Sequence, residues 1–279
     1  MITRRTLLKS ALTGLGFGGL GAFVEESSHL GVEQVWAPVA GIDSRLEGLR
    51  VAVLSDFHLY PFTQLSFLQR AVEAANQLHP EVIVLLGDFI DQTVEAMDEL
   101  GPLLGTLQSK LGVFAVLGNH DHRKGASRVE ERLAREGIEV LTNRGVFLKR
   151  DGASVYLAGV DSISGRFDLH SALSNAREKV PTILLAHEPD VADAARQDGR
   201  VSVQLSGHSH GGQVRVPGLC RYGLPRGAKK YPFGSYRLGG LFLHTSRGLG
   251  TTGAPIRLGS PPEVTEVLLV APQEGRTTT

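Results

Sequence analysis

The chain has 279 residues, of which 42% are hydrophobic and 21% are charged, so it can form a sizeable core in one large domain or in two small ones. Its 29 lysines and arginines balance 29 aspartates and glutamates, which argues against the strongly basic surface of a nucleic-acid-binding protein or a nuclease. Cys220 is the one cysteine, so an internal disulfide and a zinc site built from several thiolates are both excluded.

The N-terminal segment has the pattern of an export signal. Arg4 and Arg5 precede Leu7, Leu8 and Lys9, and a glycine-rich apolar run without acidic residues follows. This order resembles the twin-arginine signal S/T-R-R-x-F-L-K, with leucine where phenylalanine is more frequent. The alternative is a basic terminus followed by a short core helix, which the order of the charged and apolar parts disfavours.

The final form of this segment stays open. Its apolar run is shorter than the roughly 20 residues of a membrane-spanning helix, and no A-x-A cleavage site follows, so removal and retention as an anchor are both compatible with it. We expect export by the twin-arginine machinery to the periplasm or to the outer face of the cytoplasmic membrane. The predicted division is a signal or anchor over 1–29, a folded domain over 30–271 and a polar tail over 272–279.

From about residue 33, predicted strands alternate with predicted helices. The β-branched run LRVAVLSD (49–56) ends in polar residues and predicts a buried strand. QLSFLQRAVEAANQLH (64–79) has apolar residues at helical spacing and is ended by Pro80. EVIVLLGD (81–88) predicts a second strand, and VEAMDELGPLLGTLQ (94–108) predicts a broken helix.

The alternation continues through the rest of the chain. GVFAVLGNHD (112–121) predicts a third strand, SRVEERLAREG (127–137) a helix that ends at Gly137, and VFLKRDGASVYLAGV (146–160) a hairpin that turns at Asp151–Gly152. Four further strands are predicted: TILLAHEPD (182–190), VSVQLSGHSH (201–210), LFLHTSRG (241–248) and VTEVLLV (264–270). This order predicts one layered α/β domain built on mixed sheets.

Polar side chains that can bind a metal or catalyse a reaction follow several of these strands. They are Asp56, His58, Asp88, Asn119, His120, Asp121, His187, His208 and His210. Ligands of open α/β sheets bind at the carboxyl ends of the strands, so we expect these side chains to converge. A single one of them would indicate an ordinary loop histidine or turn residue, but their repetition at successive strand ends indicates a site.

The donor set indicates a pair of divalent cations. Carboxylate oxygens, an amide oxygen and imidazole nitrogens without sulfur suit manganese, iron or zinc. Two cations roughly 3.5–4 Å apart need a carboxylate that can bridge them. The glycines of SGHSHGGQV (206–214) would let His208 and His210 reach different cations from one tight turn.

The ordered motifs resemble those of the calcineurin-like metallophosphoesterase family. They are Asp56-Phe57-His58, Gly87-Asp88, Gly118-Asn119-His120-Asp121, His187 and Gly207-His208-Ser209-His210. LAHEPD, SGHSHGGQV and SRGLGTTGAPIRLGSPPEV are further similar to a bacterial branch of exported phosphoesterases related to UDP-diacylglucosamine pyrophosphatases. The resemblance implies a catalytic domain with a mixed two-sheet sandwich flanked by helices.

The resemblance also implies a role for each residue. One cation would be bound by Asp56, His58, Asp88 and His210, and the other by Asp88, Asn119, His187 and His208. His120 would be the catalytic histidine, and Asp121 would be its orienting partner. A hydroxide held by the two cations would attack the phosphorus, while protonated His120 would assist the leaving group.

A few other polar residues have two interpretations each. Asp91 is predicted to cap a helix, with contact to the site as the alternative. His122 and Arg123 either contact substrate or lie in an exposed loop, and RYGLPRGAKKYPFGSYR (221–237) is either a lip that faces phosphate or membrane or a solvated loop. Four histidines are predicted to be structural or surface residues: His29, His79, His170 and His244.

The predicted function is metal-dependent hydrolysis of a phosphoester or pyrophosphate bond in an envelope or lipid-linked substrate. A UDP-diacylglucosamine pyrophosphatase of lipid biosynthesis is an alternative, which the export signal disfavours because the nucleotide pool is cytosolic. A module that binds a phosphate ligand without turnover is a second alternative, which the intact His120 disfavours. The expected partners are a phosphorylated small molecule or lipid, the twin-arginine machinery and a membrane surface.

Overall fold

The computed structural model describes residues 29–215 and 224–272. Its strands are β1 (Gly31–Pro38), β2 (Arg50–Leu54), β3 (Val82–Leu85), β4 (Val113–Ala115), β5 (Glu139–Val140), β6 (Arg144–Arg150), β7 (Ala153–Gly159), β8 (Thr182–Leu185), β9 (Val203–Ser206), β10 (Gly234–Leu238), β11 (Leu241–Thr245) and β12 (Glu263–Val270). Its α-helices are α1 (Leu65–Gln77), α2 (Met97–Leu104), α3 (Asn119–Lys124), α4 (Ala126–Arg135), α5 (Leu169–Ala172) and α6 (Ala192–Asp198). Short 3₁₀ turns cover Val94–Ala96, Pro189–Val191 and His210–Gly212.

The predicted export segment up to residue 28, Cys220 and the predicted tail from residue 273 lie outside the described residues. Within 29–215 and 224–272, no helix has both the length and the apolar character that a membrane span requires.

The strands form two six-stranded sheets. The first has the order β1-β12-β2-β3-β4-β5, and the second has the order β10-β11-β9-β8-β7-β6. In the first, β2 to β5 are parallel and β12 is antiparallel to β2. In the second, β7, β8, β9 and β11 are parallel, while β6 and β10 are antiparallel at the two edges. Both sheets are mixed, which confirms the predicted two-sheet architecture.

The continuous apolar runs of the central strands reflect burial on both faces. In β2, Val51 and Val53 belong to the core between the two sheets, whereas Ala52 and Leu54 belong to the core beneath the helices. Successive side chains of a strand point to opposite faces of the sheet. When both faces are buried, every position needs an apolar residue, so the sequence shows a continuous apolar run. The sandwich therefore buries both sheets completely along their central strands.

Helices cover the outer face of each sheet. Leu68 of α1, Leu100 of α2 and Leu133 of α4 pack in the core on the first sheet. Ala172 of α5 and Ala195 of α6 pack in the corresponding core on the second sheet. The result is a four-layer helix–sheet–sheet–helix arrangement, which confirms the predicted flanking helices.

Several predicted elements differ in their limits. The third strand ends at Ala115 instead of continuing to residue 121, and Gly118 caps α3, which begins at Asn119. The predicted helix over 94–108 is a 3₁₀ turn followed by α2, which contains Pro102 and ends at Leu104. The sequence pattern did not indicate β1, β5 or β10, because edge and two-residue strands depend on the neighbour with which they pair rather than on their own periodicity.

The predicted hairpin is present at its predicted turn. β6 and β7 are antiparallel from Arg144↔Gly159 to Arg150↔Ala153. Asp151 and Gly152 both have positive φ, 50° and 83°, as a two-residue turn of this type requires. Local sequence chemistry therefore determines this part of the second sheet.

Candidate metal centre

The two sheets bring their predicted ligands to one edge of the sandwich. Parallel β2, β3 and β4 end at this edge from the first sheet, and parallel β8 and β9 end there from the second. All the predicted ligands are buried: Asp56, His58, Asp88, Asn119, His187, His208 and His210. The common direction of the parallel strands explains why residues far apart in the sequence meet.

One cluster contains Asp56, His58 and His210, whose ligand atoms lie within 4.8 Å of one another. His210 Nε2 lies 3.0 Å from His58 Nε2 and 3.6 Å from Asp56 Oδ1. The cluster therefore joins the end of β2 in the first sheet to the turn after β9 in the second.

A second cluster contains Asp88, His187 and His208, with ligand atoms again within 4.8 Å of one another. His208 Nδ1 lies 3.1 Å from His187 Nε2, and Asn119 Oδ1 lies 3.3 Å from the same Nε2 atom. Asn119 thus belongs beside this second cluster, where the resemblance to the phosphoesterase motifs placed it.

Asp88 lies between the two clusters. Its Oδ2 atom is 3.3 Å from His58 Nε2 on one side and 3.3 Å from His187 Nε2 on the other. A single carboxylate at this position can contact cations on both sides. Asp88 also forms a third candidate group with His58 and His120, so His120 lies close to the same donors.

In three of these histidines, the ring nitrogen that points away from the cluster lies beside a backbone carbonyl oxygen. The contacts are His187 Nδ1 to Leu86 O (2.6 Å), His208 Nε2 to Arg226 O (2.9 Å) and His210 Nδ1 to Gly250 O (3.2 Å). The outward Nδ1 of His58 faces the Asp91 carboxylate at 3.3 Å. A carbonyl oxygen only accepts, so the nitrogen beside it carries the hydrogen, and in a neutral imidazole the other nitrogen keeps its lone pair.

The direction of the imidazole lone pairs shows whether these residues fit metal ions. The outward contacts direct lone pairs of His58 and His210 toward each other at 3.0 Å, and lone pairs of His187 and His208 toward each other at 3.1 Å. Facing lone pairs repel unless a proton or a cation lies between them. Two such pairs, on either side of the Asp88 carboxylate, fit two divalent cations.

Protons compensate the buried carboxylates when no cation is bound. Burial lowers the pKa of His58, but hydrogen bonds to Asp88 and Asp91 and the charges of Asp88 and Asp56 outweigh burial and raise it to about 9. Burial also opposes protonation of His187, yet the charge of Asp88 raises the pKa of that imidazole. Cation binding must therefore displace protons from these histidines.

His210 differs from those two imidazoles. Burial lowers its pKa to about 3, and the positive charges of His58 and Arg257 act in the same direction against the attraction of Asp56. A neutral imidazole keeps its lone pair for a cation at all physiological pH values. His210 can therefore bind a cation without first losing a proton.

Backbone geometry at the edge also sets these residues apart. Asp56, His58, Asp88, His208 and His210 have positive φ angles between 42° and 70°, a conformation that non-glycine residues adopt infrequently. Such strained positions concentrate at functional sites, where the surrounding structure holds them.

Gly207 allows the two sheets to approach at the site. A Cβ atom at this position would overlap Ser55 Oγ and lie within 2.5 Å of Asp56 Oδ2. The His208 backbone N–H then reaches both carboxylate oxygens of Asp56 at 3.0 Å. The absence of a side chain at position 207 is therefore a requirement of the close approach.

A sequence profile described as calcineurin-like phosphoesterase matches residues 49–212. The chain belongs to the calcineurin-like phosphoesterase family. It is 31% identical over 276 residues to metallophosphoesterase YkuE of Bacillus subtilis, which covers 95% of this chain and 96% of the relative.

Two further relatives have names that state an activity. Phosphodiesterase YaeI of Escherichia coli is 28% identical over 279 residues, covering 97% of this chain and 100% of the relative. UDP-2,3-diacylglucosamine pyrophosphatase LpxG of Chlamydia muridarum is 30% identical over 281 residues, covering 79% of this chain and 83% of the relative. This phosphoesterase is accordingly a hydrolase.

In this phosphoesterase the carboxylate beside His120 is Asp91, which corrects the orienting role expected for Asp121. His120 Nδ1 lies 3.3 Å from Asp91 Oδ1. Asp121 instead accepts backbone N–H groups of Asp88, Phe89 and Gly118 at 2.9–3.0 Å. As an early residue of α3, Asp121 points back at the helix start and holds the loop that carries Asp88.

Asp91 is also not the helix cap that the sequence predicted, since Thr93 precedes the next 3₁₀ turn. Its Oδ1 atom accepts a hydrogen bond from Thr252 Oγ1 at 2.9 Å and faces both His58 and His120. The spacing of Asp91 three residues after Asp88 was the sequence feature that could have indicated this role.

A cavity of about 460 Å³ opens above the two clusters. Its lining includes His120 and Arg123 together with the apolar residues Val214, Leu224 and Pro225. Of the two open alternatives for residues 122 and 123, Arg123 lines the cavity, whereas His122 bonds to Asp161 with Nε2 2.5 Å from Oδ1. His122 therefore supports the loop after β7.

Sequence reasoning also missed two buried polar supports of the phosphoesterase site. Arg257 is fully buried and donates to the backbone oxygens of Arg247 and Ser260 at 2.9 Å. Glu188, next to the ligand His187, accepts from Ser162 Oγ at 2.6 Å. His244, predicted to be structural or on the surface, is buried and contacts Ser235 Oγ at 3.0 Å.

Proposed function

We propose that the protein is an exported phosphohydrolase whose centre holds two divalent cations of manganese, iron or zinc. The single observation that carries this proposal is the pair of facing imidazole contacts, 3.0 and 3.1 Å long, on the two sides of Asp88. When bound there, two cations would lower the pKa of a water to supply hydroxide and would neutralise charge on the phosphoryl group.

The residues of the chain then divide into three tasks. Asp56, His58, Asp88 and His210 form one set of ligands, and Asp88, Asn119, His187 and His208 form the other. His120 donates a proton to the leaving oxygen from its place on the cavity wall. Asp91 faces His120 Nδ1 and fixes the orientation of the ring, so that Nε2 is directed toward the substrate.

Burial lowers the pKa of His120, and the charges of His58 and Arg123 act in the same direction against the attraction of Asp88. A histidine with a lowered pKa is a stronger acid when protonated, which suits proton donation to an alkoxide. A negatively charged substrate in the cavity offsets those neighbouring charges and raises the pKa of His120, so that the imidazole becomes protonated.

A phosphate ester attached to a lipid or an envelope component is the proposed substrate class. The lining of the cavity combines the apolar residues Val214, Leu224 and Pro225 with the predicted ligands Asp88 and His208, and Val214 is 44% exposed. A lining that combines apolar and charged residues suits a substrate that combines a phosphoryl group with an apolar group. The name of YaeI supports a phosphodiester, and the name of LpxG supports a pyrophosphate.

Export and membrane contact are part of the same proposal. The Arg4–Arg5 motif supports the twin-arginine route. Val32 and Trp36 on edge strand β1 are 54% and 51% exposed, shortly after the predicted signal or anchor. Tryptophan is enriched where proteins meet the membrane interface, which supports contact of this edge with the outer face of the cytoplasmic membrane.

The decisive experiment combines metal analysis with a substrate panel. The full chain, purified with its native metals, is expected to hold about two divalent ions and to hydrolyse a lipid-linked pyrophosphate or a glycerophosphodiester faster than a free nucleotide. Protein that binds phosphate with two metals but releases no product would support the alternative of a binding module. Protein without divalent metal would refute the proposal.

A UDP-2,3-diacylglucosamine pyrophosphatase is the second candidate, favoured by the similarity to LpxG. That substrate is built on a cytosolic nucleotide, whereas the twin-arginine route carries a folded protein away from it. Replacing Arg4 and Arg5 by lysine should leave active protein in the cytosol if the proposed route is used. Unchanged export of the double variant would remove the argument against the second candidate, and fastest turnover of the nucleotide lipid would establish it.

A further inference from the structure

Asn119 and Arg123 are one helical turn apart on α3, so their side chains lie on the same face of the helix. Asn119 is buried beside His187 and His208, whereas Arg123 is exposed at the wall of the cavity. The Asn119 amide therefore lies between the cluster of Asp88, His187 and His208 and the Arg123 guanidinium.

The two ends of this amide satisfy different neighbours. With its NH₂ group toward the cluster, Asn119 donates to His208 Nδ1 at 2.8 Å, and its oxygen accepts from Arg123 Nη1 and Nη2 at 2.8 and 3.0 Å. With its oxygen toward the cluster, Oδ1 lies 3.3 Å from His187 Nε2, and the NH₂ group faces the guanidinium. The first orientation suits a site without a cation, and the second suits a cation that needs an oxygen ligand.

The second orientation changes the situation of Arg123. A guanidinium has donors only, and an amide NH₂ group is also a donor, so both hydrogen bonds between the two residues are lost. Arg123 then faces the same cavity as Asp88, His120 and His208. A phosphoryl group in that cavity offers the charge and the paired oxygens that a guanidinium fork binds best.

We propose that cation binding turns the Asn119 amide and releases Arg123, which then binds a non-bridging oxygen of the substrate phosphate. This inference rests on the proposed function and adds a positioning residue to it. Cation and phosphate affinities are thereby coupled: the cation frees Arg123 for phosphate, and removal of Arg123 frees Asn119 for the cation.

The test measures binding, independently of turnover. Metal-free Arg123→Ala protein is titrated with Mn²⁺ in a calorimeter and should bind it about 3- to 10-fold more tightly than the wild type, since a competing hydrogen bond to the Asn119 oxygen is absent. Lys124→Ala is the matched control, because it removes the same charge from the next, exposed position of α3 and should leave the affinity unchanged.

The second measurement uses inorganic phosphate on the Mn²⁺-loaded proteins. Arg123→Ala should bind phosphate about 10- to 100-fold more weakly, in line with the loss of a charge-assisted bond, while Arg123→Lys should restore part of the affinity. In turnover, KM should rise more than kcat falls. These opposite shifts in Mn²⁺ and phosphate affinity are not expected from a merely structural arginine.

Three results would overturn the inference. Unchanged or weaker Mn²⁺ binding by Arg123→Ala would show that Arg123 does not compete for Asn119, and an equal gain in Lys124→Ala would show a general effect of charge. Unchanged phosphate affinity in Arg123→Ala would remove its contact with substrate. In each case the proposed function stands as long as the wild type binds two cations; wild-type protein that binds none would refute both.

Discussion

The two sheets contribute different chemistry to the same site. The segments that follow the strands of the first sheet supply the carboxylates of Asp56 and Asp88, the imidazole of His58 and the amide of Asn119 at the start of α3. The second sheet supplies only imidazoles, those of His187, His208 and His210. The negative charge that would attract cations thus comes from one sheet, and imidazole nitrogens that would complete the coordination come from the other. Neither sheet holds a full set of ligands, so the site exists only when the sandwich is assembled.

The loops of the second sheet hold those of the first in place. Leu249 N donates to Ser55 O at 2.9 Å, and the His208 N–H donates to both Asp56 oxygens. The buried carboxylate of Asp56 after β2 is stabilised by a donor from the opposite layer, which offsets its desolvation. Cations at the centre would add bonds across the same boundary, so we expect metal binding to stabilise the contact between the sheets.

The largest effect is expected from the carboxylate shared by both clusters. Asp88→Asn should lose both cations, and turnover should fall by about 10⁴-fold or more, because a neutral amide cannot balance two cations and several kcal/mol of charge stabilisation disappear. His208→Ala, from the second sheet, should lose about one ion per chain. Elemental analysis of both variants measures the difference, and full metal content in Asp88→Asn would contradict the division between the sheets.

The next effect separates chemistry from metal binding. His120→Ala should keep about two ions while turnover falls roughly 10²- to 10⁴-fold, the range for loss of a general acid. The loss should be smaller for a nitrophenyl ester, since that leaving group departs without a proton. Metal analysis and turnover on both substrates decide the matter, because loss of an ion would make His120 a ligand, as its proximity to His58 and Asp88 allows.

A smaller effect concerns the contact between the sheets. Gly207→Ala would force its Cβ against Ser55 and Asp56, and overpacking of this kind costs about 1–3 kcal/mol. We expect a lower Tm by several degrees and weaker Mn²⁺ binding. Gly240→Ala is the control, because a Cβ there meets no atom within 4 Å. Equal Tm values for the two variants would show that the approach at position 207 is not needed.

The smallest effect is a dependence on pH. Without a cation the pKa of His58 is raised to about 9 from 6.5, so its protonation stabilises the folded protein fully below pH 6.5 and is lost as pH rises through 9. A cation replaces that proton, so its affinity should rise with pH over this interval by up to about tenfold per unit.

Calorimetric melting with and without Mn²⁺ measures this dependence. The gain in Tm from the metal should grow from pH 6.5 to pH 9, and His58→Gln should remove much of the slope. His79→Gln, an exposed histidine on the loop after α1, should leave it intact. A metal-induced gain that is constant with pH in the wild type would contradict the displacement of a proton.

Local chemistry explains which parts of the fold were predictable. The turn at Asp151–Gly152 and the helix over Leu65–Gln77 follow from turn residues and apolar spacing within a few positions of the chain. The place of β12 does not, because it lies between β1 and β2, more than 200 residues away along the sequence. Only the pairing of distant strands in the folded sheet assigns that position.

The sequence by itself determined the types of donor, their order along the chain and their place at strand ends. Apolar patterns predict the strands, and the donor atoms that divalent cations prefer can be read from the residue types. Tertiary structure alone decided which groups meet: Asp91 rather than Asp121 faces His120, and Arg123 lies beside the amide of Asn119. The physical reason is that a side chain's direction depends on the exact turn of its loop and on what packs against it. The sequence motifs determine which donor atoms are present at this site, and the packing of the two sheets determines how they are arranged.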